Sequence, residues 1–123
     1  MSFFLFKLFL FNSRNLLMNI LFVCSRNQWR SPTAEQVYKN HSGLNVRSAG
    51  TEPSARIKLS AKTILWADVI FVMEKKHKQR LQDKFANEAQ EKQIIVLDIP
   101  DDYQFMDEEL IEDIKAKVDA YLF

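Results

Sequence analysis

The chain contains a single cysteine, Cys24, so whether it carries thiol chemistry depends on the residues around it. These read Cys24-Ser25-Arg26-Asn27-Gln28-Trp29-Arg30-Ser31: a thiol, five residues, an arginine and a serine. A phosphate dianion needs many N–H donors, and a tight loop running into a helix N-terminus presents them from its backbone. Ser25, Arg26, Asn27, Gln28 and Trp29 would form that cradle. Arg30 would add a two-pronged guanidinium contact that lysine cannot match. The same positive surroundings, with the Ser31 hydroxyl in reach, stabilise a thiolate at Cys24. A thiolate beneath a bound phosphate is placed for in-line attack and a phosphocysteine intermediate. The loop has no glycine, so Asn27 is the residue best suited to a left-handed turn within it.

Such an attack needs a carboxylic acid that protonates the leaving oxygen and then activates water. Asp98, Asp101 and Asp102 lie together late in the chain. Asp98 ends a strand and is read as fixing the loop, whereas Asp101 and Asp102 point in different directions and both stand as candidates for the acid. Aspartates after Pro100 also serve as plain turn formers. Trp29 and Tyr103 could line an entrance that stacks an aryl group. His41 and His77 have no catalytic partner in sequence, and Lys75 to Lys78 reads as the solvated face of a helix.

The elements that must bring these residues together alternate. Ile20–Val23 is a continuous apolar run, the pattern of a strand covered on both faces. Ser31-Pro32 predicts a helix start with Ser31 as N-cap. Leu44–Ser48, Val69–Met73 and Ile94–Leu97 read as further strands. Helices are expected over Ser54–Leu65, Lys75–Phe85 and Asp107–Leu122, with a loop at Asp98–Phe105. Alternation of this kind predicts a doubly wound three-layer α/β/α fold with a four-stranded parallel sheet. In such sheets ligands sit beyond the carboxyl ends of the strands, where the strand order switches. Cys24 and Asp98–Tyr103 are both expected at that edge.

Val23-Cys24-x-x-Asn27-x-x-Arg30-Ser31-Pro32 resembles the signature of the low-molecular-weight protein tyrosine phosphatases. Ser48-Ala49-Gly50-Thr51 is similar to the family segment whose serine braces the loop asparagine. Ala67–Met73 resembles its third strand, and Ile99-Pro100-Asp101-Asp102-Tyr103 its acid loop. The resemblance runs from Met18 to the C-terminus. It implies the family fold, with Cys24 as nucleophile, Arg30 as phosphate clamp, Asp101 as general acid and Ser48 supporting Asn27. The chain departs from the family at Arg26, usually Gly, at Trp29, often a second Cys, and at Asp102, usually Pro. The segment between Thr51 and Trp66 is shorter than usual, which predicts a reduced wall beside the site.

The remaining readings come from bulk properties. A length of 123 residues suits one domain. With 17 basic and 16 acidic residues, no overall field favours nucleic acid. One cysteine permits neither an internal disulfide nor a cysteine-rich metal site. No cofactor and no metal are expected. The implied partner is a phosphorylated protein or a small aryl phosphate, and the sequence says nothing of oligomeric state. The apolar stretch Ser2–Phe11, broken by Lys7, is too short to span a membrane. Residues 1–17 are expected to be an extension outside a domain at 18–123, with no stable membrane insertion and a cytoplasmic location. Two other activities remain open: a phosphate- or phosphoprotein-binding module with little turnover, and arsenate reduction with an external thiol.

Overall fold

A computed structural model describes residues 17–123. The expected extension therefore lies outside the described residues, apart from an exposed Leu17. The chain runs through β1 (Met18–Cys24), α1 (Arg30–Tyr38), β2 (Leu44–Gly50), α2 (Ala61–Trp66), β3 (Val69–Val72), α3 (Lys75–Lys84), α4 (Ala86–Ala89), β4 (Gln93–Val96) and α5 (Glu108–Leu122). The four strands form one parallel sheet in the order β2-β1-β3-β4, with Ile20 beside both Val46 and Val69. This is the three-layer doubly wound fold that the alternation predicts.

The apolar run of β1 is explained by burial on two sides. Ile20 and Phe22 join Phe71, Ile114 and Val118 under α1 and α5. Leu21 and Val23 face the other way, toward Ile64, Ile70 and Leu81 beneath α2 and α3. Helix α5 buries Leu110, Ile114, Val118 and Leu122, four residues at strict four-residue spacing. Each such side chain contributes about 1.5–3 kcal/mol of transfer free energy. Asp107 caps this helix by accepting the Glu109 N–H at 2.9 Å, and Glu108 and Glu109 complement its dipole. Among the described residues no helix is long and apolar enough to cross a membrane.

Two local expectations are corrected. Helix α1 begins at Arg30 with Trp29 in the capping position, so Ser31 is not the N-cap. Pro32 tolerates this because N–H groups of the first turn have no intrahelical acceptor in any case. The Ser31 hydroxyl is thereby released toward Cys24. The helix expected from Ser54 starts only at Ala61, where the Ser60 hydroxyl accepts the Thr63 N–H at 3.2 Å. Residues 51–59 form turns instead, because their backbone groups are bonded to the loop after β1 and to Gly50.

Gly50 marks the close approach of these two segments. A β-carbon there would lie 2.6 Å from the Ser25 carbonyl oxygen and 2.9 Å from the Arg26 carbonyl carbon. Gly50→Ala is expected to cost about 1–3 kcal/mol by forcing backbone apart. Urea denaturation followed by circular dichroism measures the loss; an unchanged midpoint would show that the loop yields freely.

Candidate active site

The strand order reverses at β1, so the chain leaves β1 toward one face of the sheet and β3 toward the other. The loops after these adjacent strands diverge and leave a crevice at their carboxyl ends. The loop after β1 is Cys24–Trp29. Its carbonyls are held from outside: Cys24 O accepts from Thr51 N at 3.0 Å and Ser25 O from Glu52 N at 2.8 Å. Arg26 O accepts from Arg56 N at 3.0 Å, and Asn27 O from Arg56 Nε at 3.1 Å. Across a trans peptide plane the next N–H points opposite to the carbonyl. Four outward carbonyls therefore turn the N–H groups of Ser25 to Gln28 inward, a ready anion cradle.

Asn27 makes this curve possible. Its φ is 55°, the left-handed turn expected in a loop without glycine. Wholly buried, it donates from one amide nitrogen to Ser31 Oγ and Ser48 Oγ, both at 2.9 Å. The Ser48 hydroxyl in turn donates a hydrogen bond to Glu35 Oε1, and Ser31 Oγ lies 2.9 Å from Cys24 Sγ. With Asn27 donating to it, the Ser31 hydroxyl has one proton to give, with Cys24 Sγ at 2.9 Å and the more distant Ala49 carbonyl at 3.4 Å as its acceptors. Asn27 Oδ1 is buried and has no hydrogen-bond partner among the described residues.

Arg30 is held in place by its surroundings. Its side chain is 2% exposed, and Nη1 donates to Glu74 Oε2 at 2.5 Å and to the Ile99 carbonyl at 2.9 Å. Both bonds use Nη1, leaving the Nε–Nη2 edge for a ligand. Nε lies 3.6 Å from Asp101 Oδ1, whose side chain is half-exposed. Burial pushes the Glu74 carboxyl up, but the hydrogen bond and charge of Arg30 outweigh it and hold the group below the ordinary carboxylate range.

These residues surround a cavity of about 280 Å³. Cys24 is at its nearly buried base, with Ser25, Arg26, Gln28, Trp29 and Arg30 around it. Asp101, Glu52 and Lys76 complete the lining. Glu52 comes from the segment between Thr51 and Trp66, so the wall expected to be reduced there is at least partly supplied. Asn27, Ser31 and Ser48 stand behind the loop as its support. Of the acid candidates Asp101 is in the lining and Asp102 is not. Tyr103 is not in the lining; it packs half-buried against the core cluster that includes the buried face of α5, where its apolar ring is shielded from water.

Sequence reading missed Glu74 and misjudged His77. The lysines around His77 are exposed or half-exposed as expected, but His77 itself is fully buried, on the same stripe of α3 as Leu81. Four-residue spacing from Leu81 was the available signal, obscured by the flanking lysines. His77 Nδ1 accepts the Glu74 backbone N–H at 3.0 Å, and Nε2 lies 2.8 Å from Ser25 Oγ. The ring is pushed down from its ordinary 6.5 to about 4, chiefly by burial and next by the Arg30 charge, with Lys76 and Arg80 adding to the shift and Glu74 opposing it.

The unfolded ring takes up its proton near pH 6.5 and the folded ring only near 4. Between these values the unfolded chain binds more protons, so stability falls as the pH is lowered. The full loss attributable to His77 is on the order of 3 kcal/mol. Unfolding free energies from urea titrations between pH 7 and 4.5 should show this decline, and His77→Gln should flatten it.

The sequence model of the family described as "Low molecular weight phosphotyrosine protein phosphatase" matches residues 19–67, which span β1, the loop, α1, β2 and α2. No curated protein matches the chain. Among solved structures, the tyrosine phosphatase Wzb from Escherichia coli K30, in complex with phosphate, superposes with a TM-score of 0.68 at 21% identity, covering 87% of this chain and 97% of that one. SP-PTP, a low molecular weight protein tyrosine phosphatase from Streptococcus pyogenes, gives 0.71 at 17% identity, covering 86% and 91%. The YwlE arginine phosphatase from Geobacillus stearothermophilus gives 0.61 at 23% identity, covering 85% and 86%. At these identities the superpositions speak for the fold. The family model thus covers the segment that carries the loop after β1, and the superpositions extend the likeness in fold to most of the chain: this chain is similar, in that segment and in fold, to the low molecular weight phosphotyrosine protein phosphatases.

Proposed function

We propose that this protein hydrolyses phosphomonoesters, protein phosphotyrosine first among them, through a phosphocysteine intermediate on Cys24. The observation that carries the reading is the convergence of Cys24, the clamped Arg30 and Asp101 on one cavity beneath an inward-facing N–H cradle. In the first step the Cys24 thiolate attacks phosphorus and forms the S–P bond as the P–O bond to the leaving group breaks. Asp101 gives its proton to the departing oxygen. In the second, the Asp101 carboxylate takes a proton from water, the water oxygen attacks phosphorus, and the S–P bond breaks to return the thiolate and release phosphate. Arg30 and the loop N–H groups stabilise the charge on the equatorial oxygens throughout. Ser31, 2.9 Å from the sulfur, stabilises the thiolate both as nucleophile and as leaving group.

Trp29 is the aromatic side chain of the cavity lining, and it suits an aryl leaving group. The fold relatives include an arginine phosphatase as well as tyrosine phosphatases, so phosphoarginine belongs among the substrates tried.

Wild-type protein and the variants Cys24→Ser, Arg30→Ala and Asp101→Asn would be assayed on p-nitrophenyl phosphate, an alkyl phosphate, phosphotyrosyl peptide and phosphoarginine. Cys24→Ser should be inactive yet still bind inorganic phosphate. Asp101→Asn should lose about 10²–10⁴ in rate on the poor alkyl leaving group and much less on p-nitrophenyl phosphate. Arg30→Ala should lose phosphate affinity together with rate. A wild-type protein that binds phosphate but turns over none of these would instead be the binding module, and arsenate reduction dependent on added thiol would favour the reductase.

A further inference from the structure

The steps above use the backbone of Ser25 and give no task to its side chain or to His77. The two are nonetheless joined, across 52 positions of sequence, by the 2.8 Å contact of Nε2 and Oγ. The direction of that bond follows from the other ring nitrogen. Because Nδ1 accepts the backbone N–H of Glu74, it carries no proton, and the ring proton is on Nε2. Nε2 must therefore donate and Ser25 Oγ must accept. The hydroxyl keeps one proton of its own, which His77 cannot take, and Ser25 lines the cavity beside Cys24.

We propose that Ser25 and His77 form a relay that aims the Ser25 hydroxyl proton into the pocket, Ser25 acting as a side-chain ligand of the bound phosphate and His77 as its positioning residue. This rests on the reading of the cavity as a phosphate site. Each non-bridging oxygen of a bound phosphate accepts more than one hydrogen bond, so an oriented O–H adds a charge-assisted bond beside those of the Arg30 edge and the loop N–H groups. The fixed tautomer matters because an unrestrained serine can turn its proton toward whichever acceptor is nearest. Burial favours the neutral form that the relay needs, as do the charges of Arg30 from α1 and of Lys76 and Arg80 from the ring's own helix, while the Glu74 carboxylate opposes them. Glu74 thus serves two neighbours at once, its carboxylate holding Arg30 and its backbone N–H holding His77.

The test is a double-mutant cycle on the full chain with Ser25→Ala, His77→Asn and the pair. Each is read as kcat/KM on p-nitrophenyl phosphate and, separately, as inorganic phosphate affinity by calorimetry in the Cys24→Ser background. Asparagine at 77 keeps an acceptor for the Glu74 N–H but does not reach Ser25. Glutamine, in His77→Gln, keeps a donor at the place of Nε2. Ser25→Ala and His77→Asn should each lose about tenfold in both readouts, and the pair should be no worse than Ser25→Ala alone. His77→Gln should recover most of the loss. Wild-type phosphate affinity in Ser25→Ala, or single losses that multiply in the pair, would overturn the relay. Ser25→Ala leaves α3 intact and decides the matter even where position-77 variants fold poorly. Absence of wild-type turnover would count against the phosphatase reading alone, because the phosphate-binding arm still judges the relay.

Discussion

A short loop can offer a row of N–H groups to an anion only if its carbonyls are satisfied on the opposite side. That constraint organises the carboxyl edge of this domain. The carbonyls of four successive residues, Cys24 to Asn27, accept hydrogen bonds from residues 51–56, so the stretch after β2 acts as an outer brace. The close packing of the brace explains why Gly50 has no room for a side chain. It also explains why residues with helical spacing from Ser54 do not form a helix: their backbone donors are committed elsewhere. The curvature is completed by Asn27, whose left-handed backbone and branching side-chain bonds do the work that glycine does in looser loops.

The second demand is a buried positive charge. Removing a guanidinium from water costs several kcal/mol unless it is paired and hydrogen-bonded. Arg30 meets that condition on one nitrogen, through Glu74 and the Ile99 carbonyl, and leaves its other edge toward the cavity. The topology makes this possible. Arg30 leaves β1 toward one face of the sheet and Glu74 follows β3 toward the other, while Ile99 follows β4. Three chain segments contribute to one guanidinium, and the sheet that aligns them is covered by core on both faces. The rigidity of the site and the burial of the core are in this sense one property.

The departures from the pattern of the family that this chain resembles fall on the rim more than on the frame. Arg26 is exposed where the family usually has glycine, and Trp29, 37% exposed, forms part of the lining where many members have a second cysteine. Neither residue carries the loop's internal bonding through its side chain, so both positions are open to change without loss of the cradle. Substrate choice is therefore expected to depend on the rim, while the chemistry depends on the buried frame.

The amino-acid sequence by itself determined the alternation of strands and helices, the run from Cys24 to Ser31, the need for Asn27 in a turn without glycine, and the cluster of aspartates from Asp98 to Asp102. All of these are local: an apolar run, a capping pattern or a spacing within a few residues expresses them. Only the tertiary structure decided the partners. Glu74 meets Arg30 across 44 positions and His77 meets Ser25 across 52, pairings that depend on which strands are neighbours. His77 sits amid lysines in sequence but faces inward in the fold, and Tyr103 stands beside Asp101 and Asp102 in sequence but packs half-buried against the core. Asp101 and Asp102 are equivalent as residues, and the path of the loop after β4 brings one of them, Asp101, to the cavity. The physical reason is common to these cases: a side chain's chemistry is written in its type, but its burial and its partner are set by chain segments that sequence order keeps far apart.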